Sequence, residues 1–105
     1  IRRQRQMCIR DRWCRGRKVA SIGIAVRGWV TYHGLAVNVK CDPALWRLIN
    51  PCGLGPEQMA SLAELLPQAP ARDEVVSALI RSFGQRFGLQ PIRRPRTELL
   101  AFTVF

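Results

Sequence analysis

The chain has little of what metal-binding, exported or membrane proteins need. It has one histidine and four cysteines, and no two cysteines stand at the short C-x-x-C spacing that zinc sites use. No apolar run approaches the roughly 18 residues that cross a membrane, and no segment resembles a secretory signal. We therefore predict no bound metal and no membrane partner. We expect reduced thiols and a cytoplasmic location.

Acidic residues are also scarce, at seven against seventeen lysines and arginines, which gives a net charge of +10. This balance favours nucleic acid or another anionic partner. Six of the arginines, however, lie in residues 1–15, where Asp11 is the one acidic residue. No aromatic platform or base-reading motif accompanies them, so we predict no nucleic-acid partner and keep a basic nucleic-acid-binding module as an alternative.

Residues 1–15 differ from the rest of the chain in composition. The string from Arg2 to Arg12 resembles a translated sequencing adapter, and we predict that this basic leader is not native and not homologous to any family. Because residues 1–14 are highly charged and have no periodic apolar face, we expect them to pack poorly. The prediction divides the chain into this leader, a main segment over residues 16–88 and a tail over residues 89–105.

The main segment begins with a β pattern. Apolar and small residues alternate from Lys18 to Val26, which predicts a strand. A second extended stretch from Trp29 to His33 leads to Gly34, where we predict a turn or a close approach of the backbone. The alternation resumes from Leu35 to Val39, and we expect the strands on either side of the turn to be antiparallel neighbours.

Three helical segments are predicted after the strands. The Asp-Pro pair at 42–43 is an N-cap signal for a short helix or single turn over residues 44–49. A second helix is predicted over residues 56–66. The clearest helix covers residues 72–87, where an apolar stripe is typical of a core-facing surface. This stripe consists of Val76, Leu79, Ile80, Phe83 and Phe87.

Three short islands supply a cation, a glycine-lined wall and a thiol. They are the runs Lys18–Gly23, His33–Val39 and Asn50–Gly53. A thiol is an effective nucleophile only as thiolate, which a nearby ammonium stabilises, and Lys18 and Cys52 are the candidate pair. From about residue 16 to residue 88, the chain closely resembles the C-terminal half of the lipoyl (octanoyl) transferase family.

The resemblance implies an α+β fold, namely a partial biotin and lipoate protein ligase catalytic domain. Its sheet is expected to be mixed or antiparallel with packed helices, and the N-terminal half is expected to be missing. It implies transfer of an octanoyl group from octanoyl-acyl carrier protein to a lysine of a lipoyl domain, without a cofactor. The implied acceptors are the lipoyl domains of 2-oxoacid dehydrogenase complexes and the glycine cleavage H protein.

The resemblance also implies roles for individual residues. Cys52 is the nucleophile that forms an octanoyl thioester, and Lys18 lowers the pKa of its thiol and later accepts a proton from the attacking amine. Two small-residue segments contact substrate, because glycine and alanine let the backbone approach an acyl chain. They are Ser21, Ile22 and Gly23, and Gly34, Leu35 and Ala36.

Other interpretations of these residues stay open. The cysteine is alternatively a small buried hydrophobe, and the glycines are alternatively ordinary strand residues. His33 is an alternative base, which we rank below Lys18 because the family gives the tuning role to the lysine. Among related enzymes, the alternative is a lipoate ligase or a lipoyl-domain amidotransferase of the same fold. A ligase must bind ATP, and the chain has no phosphate-cradling glycine loop.

The chain departs from the family pattern in two ways. The family's Arg-Gly-Gly and Thr-x-His-Gly-Pro-Gly signatures, which line the substrate cavity, are absent, and Ala60 stands where the family often has threonine. Because a wall of the acyl tunnel is then lacking, we expect this fragment to be inactive by itself.

Overall fold

The computed structural model describes residues 9–50 and 53–100, the last two of them without their side chains. The chain forms two compact units, residues 1–71 and residues 72–105. The described strands lie in the first unit, and the longest described helix lies in the second. This combination of antiparallel sheet and helices confirms the α+β fold class.

A three-stranded antiparallel sheet organises the first unit. Its strands are β1 (Arg12–Cys14), β2 (Arg17–Ile22) and β5 (Leu35–Val37), in the order β1-β2-β5. The loop of Arg15 and Gly16 joins β1 to β2, and its φ angles of 51° and 72° match the twist of paired strands. The expectation that residues 1–14 pack poorly is therefore wrong for residues 11–14, which pair with β2 or are buried beside it.

The predicted strand from Lys18 to Val26 is interrupted. It ends as β2 at Ile22 and continues as β3 (Ala25–Arg27), which pairs with β4 (Val30–Tyr32) in a separate two-stranded sheet. The tight turn of this hairpin lies at residues 28–29, where both φ angles are positive, at 56° and 63°. A turn at Gly34 is therefore wrong, and the alternative of a close backbone approach there is the one that the structure shows.

Gly34 instead lies opposite the interruption between β2 and β3. The amide of Gly23 donates to the carbonyl oxygen of Gly34 at 2.8 Å. This bond continues the pairing of β2 and β5 across the gap, so the four strands β2 to β5 form one long antiparallel hairpin with a break in its middle. The strands on either side of Gly34, β4 and β5, do not pair with each other, so the expected neighbours are wrong. The pairing that does form, β5 with β2 and β4 with β3, is antiparallel as expected.

The core of the first unit lies where β2 meets residues 59–65. Val19, Ala60 and Leu65 form the buried apolar cluster. Backbone hydrogen bonds close this junction: the amide of Ala60 donates to the carbonyl oxygen of Lys18 at 2.9 Å. Lys18 and Met59 also form an isolated parallel bridge, so the chain at 59–60 runs beside β2 as an extended segment.

This extended segment explains why the helix predicted over residues 56–66 is wrong. The structure has two short helices there, the 3₁₀ helix η2 (Pro56–Gln58) and α1 (Leu62–Leu65). An earlier 3₁₀ helix, η1, covers Pro43–Leu48. Pairing of residues 59–60 with β2 satisfies their backbone outside a helix. The prediction for η1 is confirmed, including its cap, because Oδ1 of Asp42 accepts from the amide of Ala44 at 2.9 Å.

The second unit contains α2 (Arg72–Phe87), as predicted, and α3 (Arg96–Leu100). Gly88 ends α2 in a left-handed conformation, with φ at 62°. The apolar stripe is not buried as expected: Phe83 and Phe87 are 55% and 62% exposed. Gly84 is the buried residue of α2, and the chain after the helix packs on it.

Candidate active site

Cys52 and Pro51 lie outside the described residues, so the role of Cys52 stays a prediction. The residues on either side of the pair are close together, because the amide of Gly53 donates to Oδ1 of Asn50 at 3.1 Å. Gly53 has a φ of 73°, a conformation that glycine adopts without strain.

Lys18 lies on β2 and is buried, against the usual expectation for a lysine. Its Nζ contacts Oδ2 of Asp11 at 2.6 Å, and the two side chains are 3% and 5% exposed. A buried charge is stable only when it is paired, and this ion pair meets that need. An ammonium has three donors, so the contact with Asp11 does not exhaust its hydrogen-bonding capacity.

Asp11 is a residue of the site that sequence reasoning missed. Besides holding Lys18, its Oδ1 accepts from the amide of Ile22 at 2.9 Å. The carboxylate therefore spans β2 from the candidate lysine to a residue of the first candidate substrate segment. The signal in the sequence was that Asp11 is the one acidic residue within residues 1–15. The basic composition of that segment is the reason that the sequence prediction leaves it out of the site.

The structure brings the two candidate substrate segments together. Ser21 and Ile22 on β2 pair in register with Ala36 and Leu35 on β5. The remaining two residues, Gly23 and Gly34, meet through the hydrogen bond that follows the strands. The six predicted residues thus form one continuous ribbon that begins three residues from Lys18. Their contact with substrate stays a prediction.

Arg17 attaches β2 to the segment that follows the cysteine loop. Its Nη2 donates to the carbonyl oxygen of Met59 at 2.6 Å and to Oε1 of Glu64 at 2.9 Å. Its Nε donates to the carbonyl oxygen of Glu57 at 3.2 Å. The flat guanidinium fork suits such multiple acceptors, and a lysine could not reach all three.

Glu64 completes this attachment from the other side. Its Oε2 accepts from the amide and the hydroxyl of Ser61 at 2.9 Å and 3.2 Å, which caps the start of α1. The hydrogen bond from Arg17 is the main reason that the pKa of Glu64 lies below its ordinary value of 4.5, with the Ser61 bonds acting in the same direction. Arg17 and Glu64 were not predicted as site residues.

Asn38 joins the end of β5 to the same segment. Its Nδ2 donates to the carbonyl oxygen of Ala60 at 3.1 Å, and its own carbonyl oxygen accepts from the amide of Leu62 at 2.8 Å. Because β5 and β2 are neighbours, this contact holds residues 60–62 against both strands. The sequence offered no local signal for it, since the partners are more than twenty residues apart.

His33, the alternative base, has a different local setting from Lys18. It adopts a φ of 79° at the break between β4 and β5. Its ring packs against Tyr32, with ring centroids 4.4 Å apart. This arrangement is consistent with a histidine that shapes the strand break.

Comparison of the sequence with known protein families shows which family the chain belongs to. The model of the "Lipoyl protein ligase A/B catalytic domain" matches residues 2–84. The chain belongs to this family. The match confirms the family predicted from the three islands. The matched range includes residues 2–15. The non-native origin of these residues stays a prediction.

Several relatives in the lipoyl protein ligase A/B family carry the name octanoyltransferase. The protein from Prochlorococcus marinus is 47% identical over 77 residues, which cover 73% of this chain and 34% of the relative. A Synechococcus octanoyltransferase is 47% identical over 78 residues, covering 74% of this chain and 29% of the relative. The probable octanoyltransferase of Pyrobaculum calidifontis is 58% identical over 53 residues, half of this chain and 23% of the relative. The chain thus spans about a third or less of the length of these relatives, and no solved structure matches it significantly.

Within residues 9–50 and 53–100, no group of three or more histidine, cysteine and acidic side chains is arranged to hold a metal ion. Over the same part of the chain, no helix combines the length and apolarity needed to span a membrane.

Proposed function

We propose that this chain is the part of an octanoyltransferase that carries the catalytic lysine and cysteine. The protein transfers an octanoyl group from octanoyl-acyl carrier protein to a lysine of a lipoyl domain, a step of lipoate biosynthesis. The observation that supports this most is the ribbon that the two candidate substrate segments form on β2 and β5, which begins three residues from the buried Lys18. The name octanoyltransferase, which the relatives carry, supports octanoyl as the acyl group that is transferred.

In the proposed first step, the thiolate of Cys52 attacks the carbonyl carbon of the octanoyl thioester. The bond to the carrier sulfur breaks, the carrier leaves as a thiol by taking a proton from the Lys18 ammonium, and the octanoyl group remains on Cys52 as a new thioester while Lys18 becomes neutral. Lys18 favours this step because its positive charge lowers the pKa of the Cys52 thiol. The energy of the thioester is retained, so no ATP is consumed.

In the proposed second step, the amine of the acceptor lysine attacks the thioester on Cys52. A new amide forms, the Cys52 sulfur leaves, and neutral Lys18 accepts the proton that the amine loses. Asp11 holds the Lys18 side chain at its Nζ, so this amine has a defined position for both steps.

The two glycine-bearing segments form the proposed acyl-binding wall. Gly34 has open space where a Cβ would stand, so an acyl chain can approach its backbone. The backbone amides of the ribbon that are not used in strand pairing are the proposed donors to the thioester oxygen. Ser21 and Ala36 face each other across the pair and offer little side-chain bulk.

The proposed partners are octanoyl-acyl carrier protein as donor and lipoyl domains as acceptors. The acceptor domains belong to 2-oxoacid dehydrogenase complexes and to the glycine cleavage H protein. A cytoplasmic setting is part of the same proposal. A lipoate ligase is the second candidate, since the matching family model covers ligases as well.

The test uses a full-length octanoyltransferase in which residues 16–88 of this chain replace the matching segment. We expect octanoyl transfer to a lipoyl domain without ATP, loss of transfer in Cys52→Ser, and at least tenfold slower transfer in Lys18→Ala. Arg27→Gln, an exposed substitution on β3, is the matched control and should keep full activity. Transfer that requires ATP would favour the ligase, and transfer that survives Cys52→Ser would contradict the proposal.

A further inference from the structure

The cysteine loop and Lys18 belong to different stretches of the chain, so their relative position must be fixed by contacts elsewhere. After the loop, the chain passes through η2 and reaches β2 at Met59, which bridges Lys18. The amide of Ala60 then donates to the carbonyl oxygen of Lys18. The chain that leaves the loop is therefore attached to β2 at the candidate lysine.

Two backbone contacts alone do not fix the direction from which the chain arrives. Arg17, the residue before Lys18, adds contacts on both sides of this attachment, at the carbonyl oxygens of Glu57 and Met59. Its third acceptor is Glu64, which also caps α1 through Ser61. The guanidinium thus holds η2 and the start of α1 together on β2.

We infer that Arg17 is a positioning residue for the proposed acyl transfer. Together with Glu64, it holds the segment that follows the cysteine loop against the strand that carries Lys18. This inference rests on the proposed function. The pair acts through geometry, and neither residue is required to touch the substrate.

A simple charge effect makes a different prediction, which allows a decisive test. If Arg17 acted only as a positive charge, Arg17→Lys would leave the pKa of Cys52 unchanged. Glu64→Gln would then lower the pKa of Cys52, because it removes a negative charge from the surroundings. If the pair positions the loop, both substitutions raise the pKa of Cys52, because the thiolate moves away from the ammonium of Lys18. The two explanations predict opposite directions for Glu64→Gln.

The experiment measures the rate of alkylation of Cys52 by iodoacetamide as a function of pH in the full chain. Peptide mass spectrometry separates Cys52 from Cys14 and Cys41, which are free thiols and serve as internal references. The variants are Lys18→Ala, Arg17→Lys and Glu64→Gln. Arg27→Gln is the control for loss of an exposed positive charge.

We expect Lys18→Ala to reduce the thiolate of Cys52 at neutral pH by about tenfold or more, the effect of losing a neighbouring positive charge. Arg17→Lys and Glu64→Gln should each reduce it about threefold, a partial loss of the same charge stabilisation. Arg27→Gln should leave the midpoint unchanged. The alkylation rate of the half-buried Cys41 should stay unchanged. A faster rate at Cys41 would indicate that a variant loosens the fold in general.

If Lys18→Ala shifts the midpoint of Cys52 while Glu64→Gln lowers it or leaves it unchanged, the inference is overturned and the proposed function stands. If Lys18→Ala has no effect, the proposed function fails and the inference fails with it. Glu64→Gln keeps a side-chain oxygen that can accept from Ser61, so α1 stays capped. Its effect on the pKa of Cys52 therefore tests the inference even if Arg17→Lys destabilises the first unit.

Discussion

At the scale of single residues, Asp11 determines how Lys18 can be buried at all. The carboxylate contacts Nζ of Lys18 and the amide of Ile22, and both charged side chains are almost inaccessible to solvent. Desolvation of such a pair is offset only while both partners are present. Sequence reasoning could propose Lys18 from the island that follows it, whereas Asp11 required the fold of β1 against β2.

Asp11→Ala should lower the free energy of unfolding by about 3 kcal/mol, the cost of leaving a buried charge without its partner. Chemical unfolding followed by circular dichroism measures this loss. Asp73→Ala is the control, because Asp73 is 95% exposed and its pair with Arg72 is loose, at 3.8 Å. Equal losses in the two variants would contradict the structural importance of Asp11.

Glu64 should make the stability of the chain depend on pH in the acidic range. Its pKa in the folded state lies below the ordinary value of 4.5, so as pH falls the unfolded chain takes up a proton first. The contribution is present above pH 4.5 and is lost as pH falls through the folded-state pKa. Glu64→Gln should therefore flatten the acid limb of a plot of unfolding free energy against pH. An unchanged acid limb would mean that the ion pair with Arg17 is not formed in solution.

At the scale of elements, the sequence correctly predicted the structures that depend on residues close together in the chain. The helix at residues 72–87 and the cap at Asp42 follow from periodicity and capping chemistry within a few residues. The turn at residues 28–29 was missed because Trp29 is an unusual residue at a positive φ. The split of the helix predicted at residues 56–66 depends on β2, which lies about forty residues earlier, and no local pattern encodes that contact.

At Gly84, the chain that follows α2 packs closely against the helix. An added Cβ would lie 2.8 Å from the carbonyl oxygen of Leu89 and 2.9 Å from the ring of Pro91. Gly84→Ala should therefore lower the melting temperature, although alanine in a helix usually stabilises it by about 1 kcal/mol relative to glycine. Hydrogen exchange at the amide of Leu89, which donates to the carbonyl oxygen of Gly84 at 2.9 Å, should accelerate.

Ser82→Ala provides the control in the same helix, since Ser82 is exposed. It should leave the amide of Leu89 as protected as in the wild-type chain. A Gly84→Ala variant that is more stable than the wild type would show that the segment after α2 does not pack on the helix in solution.

At the scale of the whole molecule, the chain exposes apolar surface in both units. Val30 and Leu35 are 67% and 53% exposed on the strands, and Phe83 and Phe87 are exposed on α2. The outer strands of the three-stranded sheet, β1 and β5, each pair on one side only among the described residues. Exposed apolar side chains and unpaired strand edges are templates for association.

The isolated chain should therefore self-associate as its concentration rises. Size-exclusion chromatography with light scattering, together with binding of a dye that reports apolar surface, measures this tendency. Val30→Lys places a charge on the exposed strand β4 and should shift the chain toward the monomer. A dye-silent monomer at high concentration would contradict the expectation.

The central claim is that Cys52 carries the octanoyl group and that Lys18 assists it. The most direct measurement is mass spectrometry of the intermediate trapped from octanoyl-acyl carrier protein in the full-length octanoyltransferase that contains residues 16–88. We expect an octanoyl adduct on Cys52 that hydroxylamine removes, because a thioester yields to that nucleophile and an amide does not. The adduct should be absent in Cys52→Ser and should form more slowly in Lys18→Ala. An adduct at Cys41 or at a residue outside this segment, or one that resists hydroxylamine, would contradict it.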